Sequence, residues 1–263
     1  MDKSRGGRLL TMTDPMAGYD RRTFEAPLRD GTPTRHDVYE RGEGRPVIVM
    51  QELPGIGQET LRLASRLADA GHHVVLPHLF GPLGRVSMVG NLARIFCMRK
   101  ELHLFAKNRS SPIVDWLAAL CRDVRDRTGA RGVGVIGMCL TGNFAITLVS
   151  EPSVRAAVAS QPAVPFAGMG SLHMSEEEVA AVCRGLDEHG PMLAYRFAGD
   201  PLVTAKKFAA IDRAFNTGGK ERVRLRVLPG RGHSVLTLDF VDETGHPTRE
   251  ALDEIVRYFD ETL

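Results

Sequence analysis

Gly132-Val-Gly-Val-Ile-Gly-Met-Cys139-Leu-Thr-Gly142 is the stretch that decides the fold of this chain. Residues 133–136 predict a short buried strand, because they combine β-branched side chains with glycine in a compact apolar run. The apolar pattern restarts at residues 144–149 with a spacing that favours a helix. Cys139 is therefore predicted to lie at a sharp turn between a strand and a helix.

A nucleophile at a sharp strand-to-helix turn is the nucleophile elbow of the α/β-hydrolase fold. Gly137 leaves room for such a turn because it has no Cβ atom. The first amides of the following helix are expected to face the thiol and to supply one oxyanion donor. The usual glycine two residues after the nucleophile is replaced by Thr141, and Gly142 comes one residue later. An inert buried cysteine is the alternative interpretation.

The composition is that of an ordinary globular protein, with 43% hydrophobic residues, 25% charged residues and a net charge of +2. This charge gives no argument for a nucleic-acid partner, and no window approaches the roughly 18 apolar residues of a membrane span. The four cysteines are widely spaced and form no zinc-binding pattern. We therefore expect no metal, no disulfide framework and a reducing, cytoplasmic location.

Strands and helices alternate along the chain from residue 46 to its end, which predicts one doubly wound, mostly parallel sheet with helices on both faces. Residues 1–20 lack periodicity and are predicted to be a flexible leader, so that residues 21–263 form a single α/β-hydrolase domain. Segments 81–110 and 166–190 are predicted to be caps or insertions. Ser111 is predicted to cap a helix that runs to residue 128, and Ser175 to begin a capping box.

Reactive side chains follow four of the predicted strands, namely Glu52, Cys139, Asp200 and His233. Ligands of open parallel sheets bind at the carboxyl ends of the strands. Cys139, Asp200 and His233 also occur in the chain order nucleophile, acid, histidine that hydrolases of this fold use. A histidine can accept the thiol proton, and a carboxylate can orient that histidine.

Each of these residues also has a structural interpretation, and other residues compete for its role. His233 could be a surface residue in a turn, and Asp200 before Pro201 could simply begin a helix. His78 also follows a strand, but it precedes Cys139 in the chain. Asp239 and Asp242 are alternative acids, although both follow His233.

The chain resembles the dienelactone hydrolase family of cysteine-dependent α/β-hydrolases over about residues 22–262. The resemblance rests on Gln51-Glu-Leu-Pro-Gly55, Gly137-Met-Cys139-Leu, Gly199-Asp200 and Gly232-His233. It implies that Cys139 is the nucleophile, His233 the base and Asp200 the residue that orients it. It further implies that Glu52 lies beside the thiol, and that the amides of Leu140 and Leu53 form the oxyanion hole.

Members of the family that act on dienelactone hold its carboxylate with two arginines, and this chain departs from both. Pro77-His78-Leu79-Phe80 stands where one arginine-bearing stretch is expected, and Arg85 is the nearest arginine to it. No arginine follows His233 closely. We therefore name Arg85, His78 and Phe80 as candidate substrate-binding residues. Either the basic segment 85–109 anchors an acid substrate, or the acid substrate is not the native one.

The resemblance implies a hydrolase for a small ester or lactone that uses no metal or organic cofactor. Two alternatives remain open at the level of the sequence. One is acyl or thioester transfer through the same thiol, and the other is a binding protein on a hydrolase scaffold. We expect a small-molecule partner, no nucleic acid or membrane partner, and a monomer or homodimer.

Overall fold

The computed structural model of the protein describes residues 14–53, 55–84, 111–164, 170–172 and 174–263. Its strands form one eight-stranded sheet in the order β1-β2-β4-β3-β5-β6-β7-β8. The strands are β1 (Asp20–Pro27), β2 (Pro33–Arg41), β3 (Arg45–Met50), β4 (His72–Pro77), β5 (Val133–Met138), β6 (Val154–Ser160), β7 (Met192–Phe197) and β8 (Val223–Leu228). The β1–β2 and β2–β4 pairs are antiparallel, and all the other neighbouring pairs are parallel.

Helices cover both faces of this sheet. The described helices are α1 (Gln58–Asp69), α2 (Ile113–Thr128), α3 (Leu140–Leu148), α4 (Glu176–His189), α5 (Ala205–Phe215) and α6 (Pro247–Thr262). Side chains of α1 and α6 share one hydrophobic core with the sheet, and side chains of α2 to α5 share the other. The predicted α/β-hydrolase fold, a doubly wound and mostly parallel sheet, is therefore confirmed.

The central strand β5 is apolar along its whole length because helices cover both faces of the sheet. All six residues of β5 are buried, and β5 lies between β3 and β6. Val135 contributes to the core under α2 to α5, whereas Ile136 contributes to the core under α1 and α6. The turn after β5 is thus held by packing on both faces of the sheet.

Two predicted peripheral segments are integrated into the fold where the structure describes them. Residues 14–19 of the predicted flexible leader form a turn, and Met16 is buried in the core under α1 and α6. Residues 176–189 of the segment 166–190 form α4, which buries Val182 and Leu186. This helix lies between the parallel strands β6 and β7, a pair that needs a crossover connection.

The structure confirms one of the two predicted helix caps and contradicts the other. The capping box is confirmed, since the Ser175 hydroxyl accepts the amide of Glu178 and the Glu178 carboxylate accepts the amide of Ser175. The predicted cap at Ser111 is wrong, because α2 begins after Pro112 and has no side-chain cap. The fixed φ of proline suits the start of a helix without such a bond.

The other segment predicted as a cap or insertion, residues 81–110, is described only at residues 81–84. The basic segment 85–109, including Arg85, lies outside the described residues. Within the described part of the chain, no helix is both long enough and apolar enough to cross a membrane.

Candidate active site

Cys139 lies in a strained turn at the end of β5. Its φ of 54° and ψ of −119° fall in a region that residues with a side chain rarely adopt. Such a conformation costs about 1–3 kcal/mol and persists only when the surroundings hold it. Here the Cys139 amide donates to Ser160 O at 3.1 Å, and the Cys139 carbonyl accepts the amides of Gly142 and Ala163 at 3.1 Å each. The exit of β6 thus helps to fix the turn, as the nucleophile elbow requires.

The two glycines of the motif are required by close backbone approaches. A Cβ atom at Gly137 would lie 2.1 Å from the carbonyl oxygen of Thr141, and one at Gly142 would lie 2.9 Å from Pro162 Cα. The close approach to the β6 exit thus occurs at residue 142. Thr141 is fully buried, and its hydroxyl bonds to the backbone. The shifted glycine is therefore compatible with an elbow.

Hydrogen bonds of the Asn143 side chain also stabilise the backbone around this turn. The Asn143 side chain donates to the carbonyls of Leu140 and Ala163, and its oxygen accepts the Lys207 ammonium at 2.8 Å. Lys207 also donates to Ser171 O at 2.7 Å. Burial of Lys207 lowers its pKa to about 7. The sequence analysis missed the contact between Asn143 and Lys207, because a lysine in an amphipathic helix is expected to be solvated.

His233 and Asp200 are in direct contact. The Nδ1 atom of His233 lies 3.0 Å and 3.1 Å from the two carboxylate oxygens of Asp200. Asp200 is itself buried and accepts the amides of Leu202 and Val203, which fixes its orientation. The structure therefore brings together two residues that are 33 positions apart, as the strand-exit rule predicts.

Cys139 is one of the groups that raise the pKa of the His233 imidazole. Its Nε2 atom is buried and has no hydrogen-bond partner among the described residues. Burial lowers the pKa of His233, but the hydrogen bond to Asp200 and the charges of Cys139 and Asp200 outweigh burial and raise it to about 10. A raised imidazole pKa favours transfer of the thiol proton to His233.

Glu52 is a buried carboxylate held by the loop that carries His233. Ser234 Oγ donates to it at 2.9 Å, the Thr237 hydroxyl makes a second bond, and Gln161 Nε2 donates at 3.3 Å. Burial raises the pKa of Glu52, while the three hydrogen bonds and the charge of His233 oppose the rise. The resemblance places Glu52 beside the thiol, and the hydrogen bonds in this structure come instead from the His233 loop and the β6 exit.

Gln161 is a site residue that the sequence analysis missed. It is fully buried, has a φ of 38° and follows β6 directly. Its side-chain oxygen accepts the amide of Val235 at 3.3 Å, and its side-chain nitrogen donates to Glu52. The signal available in the sequence was its place after a strand, in Ser160-Gln161-Pro162. Its positive φ could not have been read from the sequence.

The amides expected to form the oxyanion hole lie on two neighbouring strand exits. Leu140 is the first residue of α3, so its amide has no acceptor within the helix. Leu53 lies in the turn after β3, which a bond from the Gly55 amide to Glu52 O closes. The Gln51 side chain supports this turn by bonding to Leu79 N at 3.2 Å and to Phe80 O. Pro54 lies outside the described residues.

A family model described as the dienelactone hydrolase family matches residues 37–263. The chain belongs to the dienelactone hydrolase family. A carboxymethylenebutenolidase of Rhodococcus opacus is 28% identical over 128 residues, which cover 48% of this chain and 47% of that protein. The match thus spans about half the length of this curated relative.

Solved structures share the fold of this dienelactone hydrolase family member at low identity. A structure named for dienelactone hydrolase, from Klebsiella pneumoniae, has a TM-score of 0.60 and 16% identity, covering 92% of this chain and 99% of that one. A cold-adapted esterase from an Arctic intertidal metagenomic library has a TM-score of 0.57 and 17% identity, covering 94% and 95%. A Pyrococcus furiosus esterase has a TM-score of 0.59 and 16% identity, covering 93% and 92%.

The competing residues of this family member have other partners. Asp239 accepts the backbone amides of His233 and Ser234, at 2.7 Å and 2.9 Å, and so shapes the loop. Asp242 forms ion pairs with Arg66 and Arg249. Of the three carboxylates, Asp200 is the one bonded to the imidazole.

The candidate residues His78 and Phe80 follow β4, and β4 lies on the opposite side of β3 from β5. His78 is half-buried, and its Nε2 atom lies 3.0 Å from Gly81 O. Phe80 is also half-buried, and its carbonyl accepts the Gln51 side chain. Arg85 lies outside the described residues. In the described part of the chain, no three histidine, cysteine or acidic side chains are grouped as a metal site.

Proposed function

We propose that this protein hydrolyses a small carboxylic ester or lactone through Cys139, His233 and Asp200. The observation that carries the proposal is the His233–Asp200 contact beside a cysteine in a strained elbow. Membership of the dienelactone hydrolase family and the name of the Rhodococcus opacus relative support the same reaction class. The free thiols of Cys121, Cys139 and Cys183 suit the reducing cytoplasm that we expect as its location.

In the first half of the reaction, His233 Nε2 takes the thiol proton and Asp200 stabilises the imidazolium through Nδ1. The sulfur then forms a bond to the carbonyl carbon, and the π electrons move to the oxygen. The amides of Leu140 and Leu53 donate to this oxyanion. When the oxyanion collapses, the carbon–oxygen bond of the ester breaks and the imidazolium gives its proton to the leaving alkoxide. A lactone would keep its alcohol tethered to the acyl group.

In the second half, His233 takes a proton from water and the resulting hydroxide adds to the thioester carbon. Collapse of this second intermediate breaks the carbon–sulfur bond and returns the proton to the thiolate. The proposed steps use only groups of this chain and water.

Trapping the acyl-enzyme tests the proposal. We expect p-nitrophenyl acetate to release a burst of about one p-nitrophenol per site, as covalent catalysis predicts. Acid quenching during turnover should leave one acetyl group on the tryptic peptide that contains Cys139, as seen by mass spectrometry. Turnover with no adduct on this peptide would contradict the proposal. Added alcohols and thiols distinguish transfer from hydrolysis, since a transferase would yield new esters or thioesters in preference to acid.

Glu52→Gln is expected to reduce activity and to change how stability depends on pH. Burial raises the pKa of Glu52, so its contribution to folding is complete at low pH and declines as pH rises through the folded-state pKa. The variant lacks this decline. Its melting temperature relative to wild type should therefore increase as the pH rises above the ordinary titration range of a carboxyl group.

The activity of Glu52→Gln should fall on the order of 10-fold, because the negative charge near the imidazolium is lost. Differential scanning fluorimetry and ester hydrolysis at matched pH measure the two effects. Glu59→Gln, at a half-buried position in the first turn of α1, is the control and should change neither quantity beyond error, since Glu59 pairs only with Arg62 among the described residues. A difference in melting temperature that stays constant as the pH rises would contradict the role assigned to burial.

A further inference from the structure

The Thr141 side chain occupies a position between the two strand exits that flank the proposed oxyanion hole. Thr141 is fully buried in the first turn of α3. Its Oγ1 accepts the Met138 amide at 2.9 Å. The same hydroxyl lies 3.0 Å from Gln51 O, 3.2 Å from Met50 O and 2.9 Å from Met138 O. One hydroxyl therefore links the end of β5 to the end of β3.

This link continues the sheet beyond its last backbone pair. The register of β3 and β5 ends at Met50 and Gly137. The amide of Cys139 points to the other neighbour, since it donates to Ser160 O at the end of β6. Amides alternate in direction along a strand, so the Met138 amide faces β3. The Thr141 hydroxyl accepts a hydrogen bond from this amide, and it can donate a hydrogen bond to a carbonyl at the end of β3.

The two exits joined in this way carry the two amides of the proposed oxyanion hole. Leu140 directly precedes Thr141, and Leu53 is two residues beyond Gln51. We propose that Thr141 is a positioning residue that fixes the spacing between the Leu140 and Leu53 amides. This inference rests on the proposed function, because it assigns those amides to an oxyanion.

Threonine suits position 141 better than glycine, valine or serine does. Glycine would leave the buried Met138 amide without its side-chain acceptor, and an unsatisfied buried donor is destabilising. Valine has nearly the same shape but has no hydroxyl. Serine keeps the hydroxyl and loses only a methyl group. The three residue types therefore separate the effect of the hydrogen bonds from that of packing.

Thr141→Val is expected to lower kcat for p-nitrophenyl acetate on the order of 10–10²-fold, with KM changed by less than about 3-fold. Misplacement of a reacting group by about 1 Å can cost this much, and loss of an entire oxyanion donor costs about 10²–10³-fold. Thr141→Ser should retain at least about a third of the wild-type kcat. The matched control is Thr147→Val in the same helix, whose hydroxyl bonds only to Asn143 O among the described residues. It should leave kcat unchanged.

Two further measurements separate positioning from a merely structural role. An aryl trifluoromethyl ketone adds to the thiolate and forms an oxyanion, so its inhibition constant should rise in Thr141→Val by the same factor as kcat falls. Alkylation of Cys139 by iodoacetamide forms no oxyanion, so its rate should stay within about 2-fold. Equal losses in alkylation and turnover, or an unchanged inhibition constant, would overturn the inference.

The outcome for Thr141 is distinguishable from that of the proposed function. If Cys139→Ala removes activity while Thr141→Val keeps wild-type kcat and inhibitor affinity, then only the positioning role fails. If Cys139→Ala keeps full activity, the proposed function fails and the positioning role fails with it.

Discussion

Replacing Cys139 with alanine is expected to lower kcat/KM for a small ester by about 10⁴–10⁶-fold, because no covalent intermediate can form. Some rate above water should remain, since the oxyanion amides and the binding cleft are still present. Steady-state hydrolysis of p-nitrophenyl acetate and of a small lactone measures the loss. Circular dichroism and melting temperature establish that the variant is folded, which the small change in side-chain volume favours.

The matched control for this variant is Cys183→Ala. Cys183 is a half-buried free cysteine whose sulfur contacts Ala214 O on α5, and it does not take part in the proposed steps. It should retain wild-type activity and the burst of p-nitrophenol. Full esterase activity in Cys139→Ala would remove the thiol from the reaction and leave only the scaffold assignment.

Asp200→Asn is expected to lower kcat/KM on the order of 10²–10⁴-fold while the fold is retained. The asparagine oxygen can still accept the amides of Leu202 and Val203, which now bond to Asp200. Its amide group, however, favours the wrong imidazole tautomer and does not stabilise the imidazolium. The pKa of His233 should fall as well, since Asp200 is one of the groups that raise it to about 10.

The expected fall in the pKa of His233 can be measured independently of turnover. In an NMR titration, the His233 ring of wild type should remain protonated up to a pH that already deprotonates the ring in Asp200→Asn. Asp242→Asn is the control, because Asp242 pairs with Arg66 and Arg249 rather than with the imidazole. Equal activity in Asp200→Asn and Asp242→Asn would show that the orienting carboxylate has been assigned incorrectly.

Much of the fold could be predicted from local sequence patterns. Continuous apolar runs such as residues 47–50 indicate strands covered on both faces, and they coincide with β3. The largely apolar run before Gly199-Asp200 also indicates a strand, and it lies in β7. Local polarity competes with tertiary packing in residues 14–19, where Met16 is buried, and in the helix α4, which buries Val182 and Leu186. A short polar segment has the sequence pattern of a tail or an insertion, although one or two of its side chains can be buried in the core.

The strand-exit rule identified Glu52, Cys139, Asp200 and His233, because it depends only on strand order and on reactive residue types. It could not identify the residues that hold them. Gln161, Thr141 and Lys207 are uncharged or surface-type residues in the sequence pattern, and their contacts come from distant segments. The rule also left Asp239 as an alternative acid, which the bond between His233 and Asp200 argues against.

The sequence by itself determined that this chain forms a doubly wound sheet with a cysteine at a strand-to-helix turn, since periodicity and glycine placement are local properties. Only the tertiary structure decided which carboxylate contacts His233, how Glu52 is held, and why Thr141 can replace the usual glycine. Each of these depends on hydrogen bonds between groups that are close in space and far apart in sequence. Such bonds are set by the packing of strand exits and leave no pattern in any single segment of the chain.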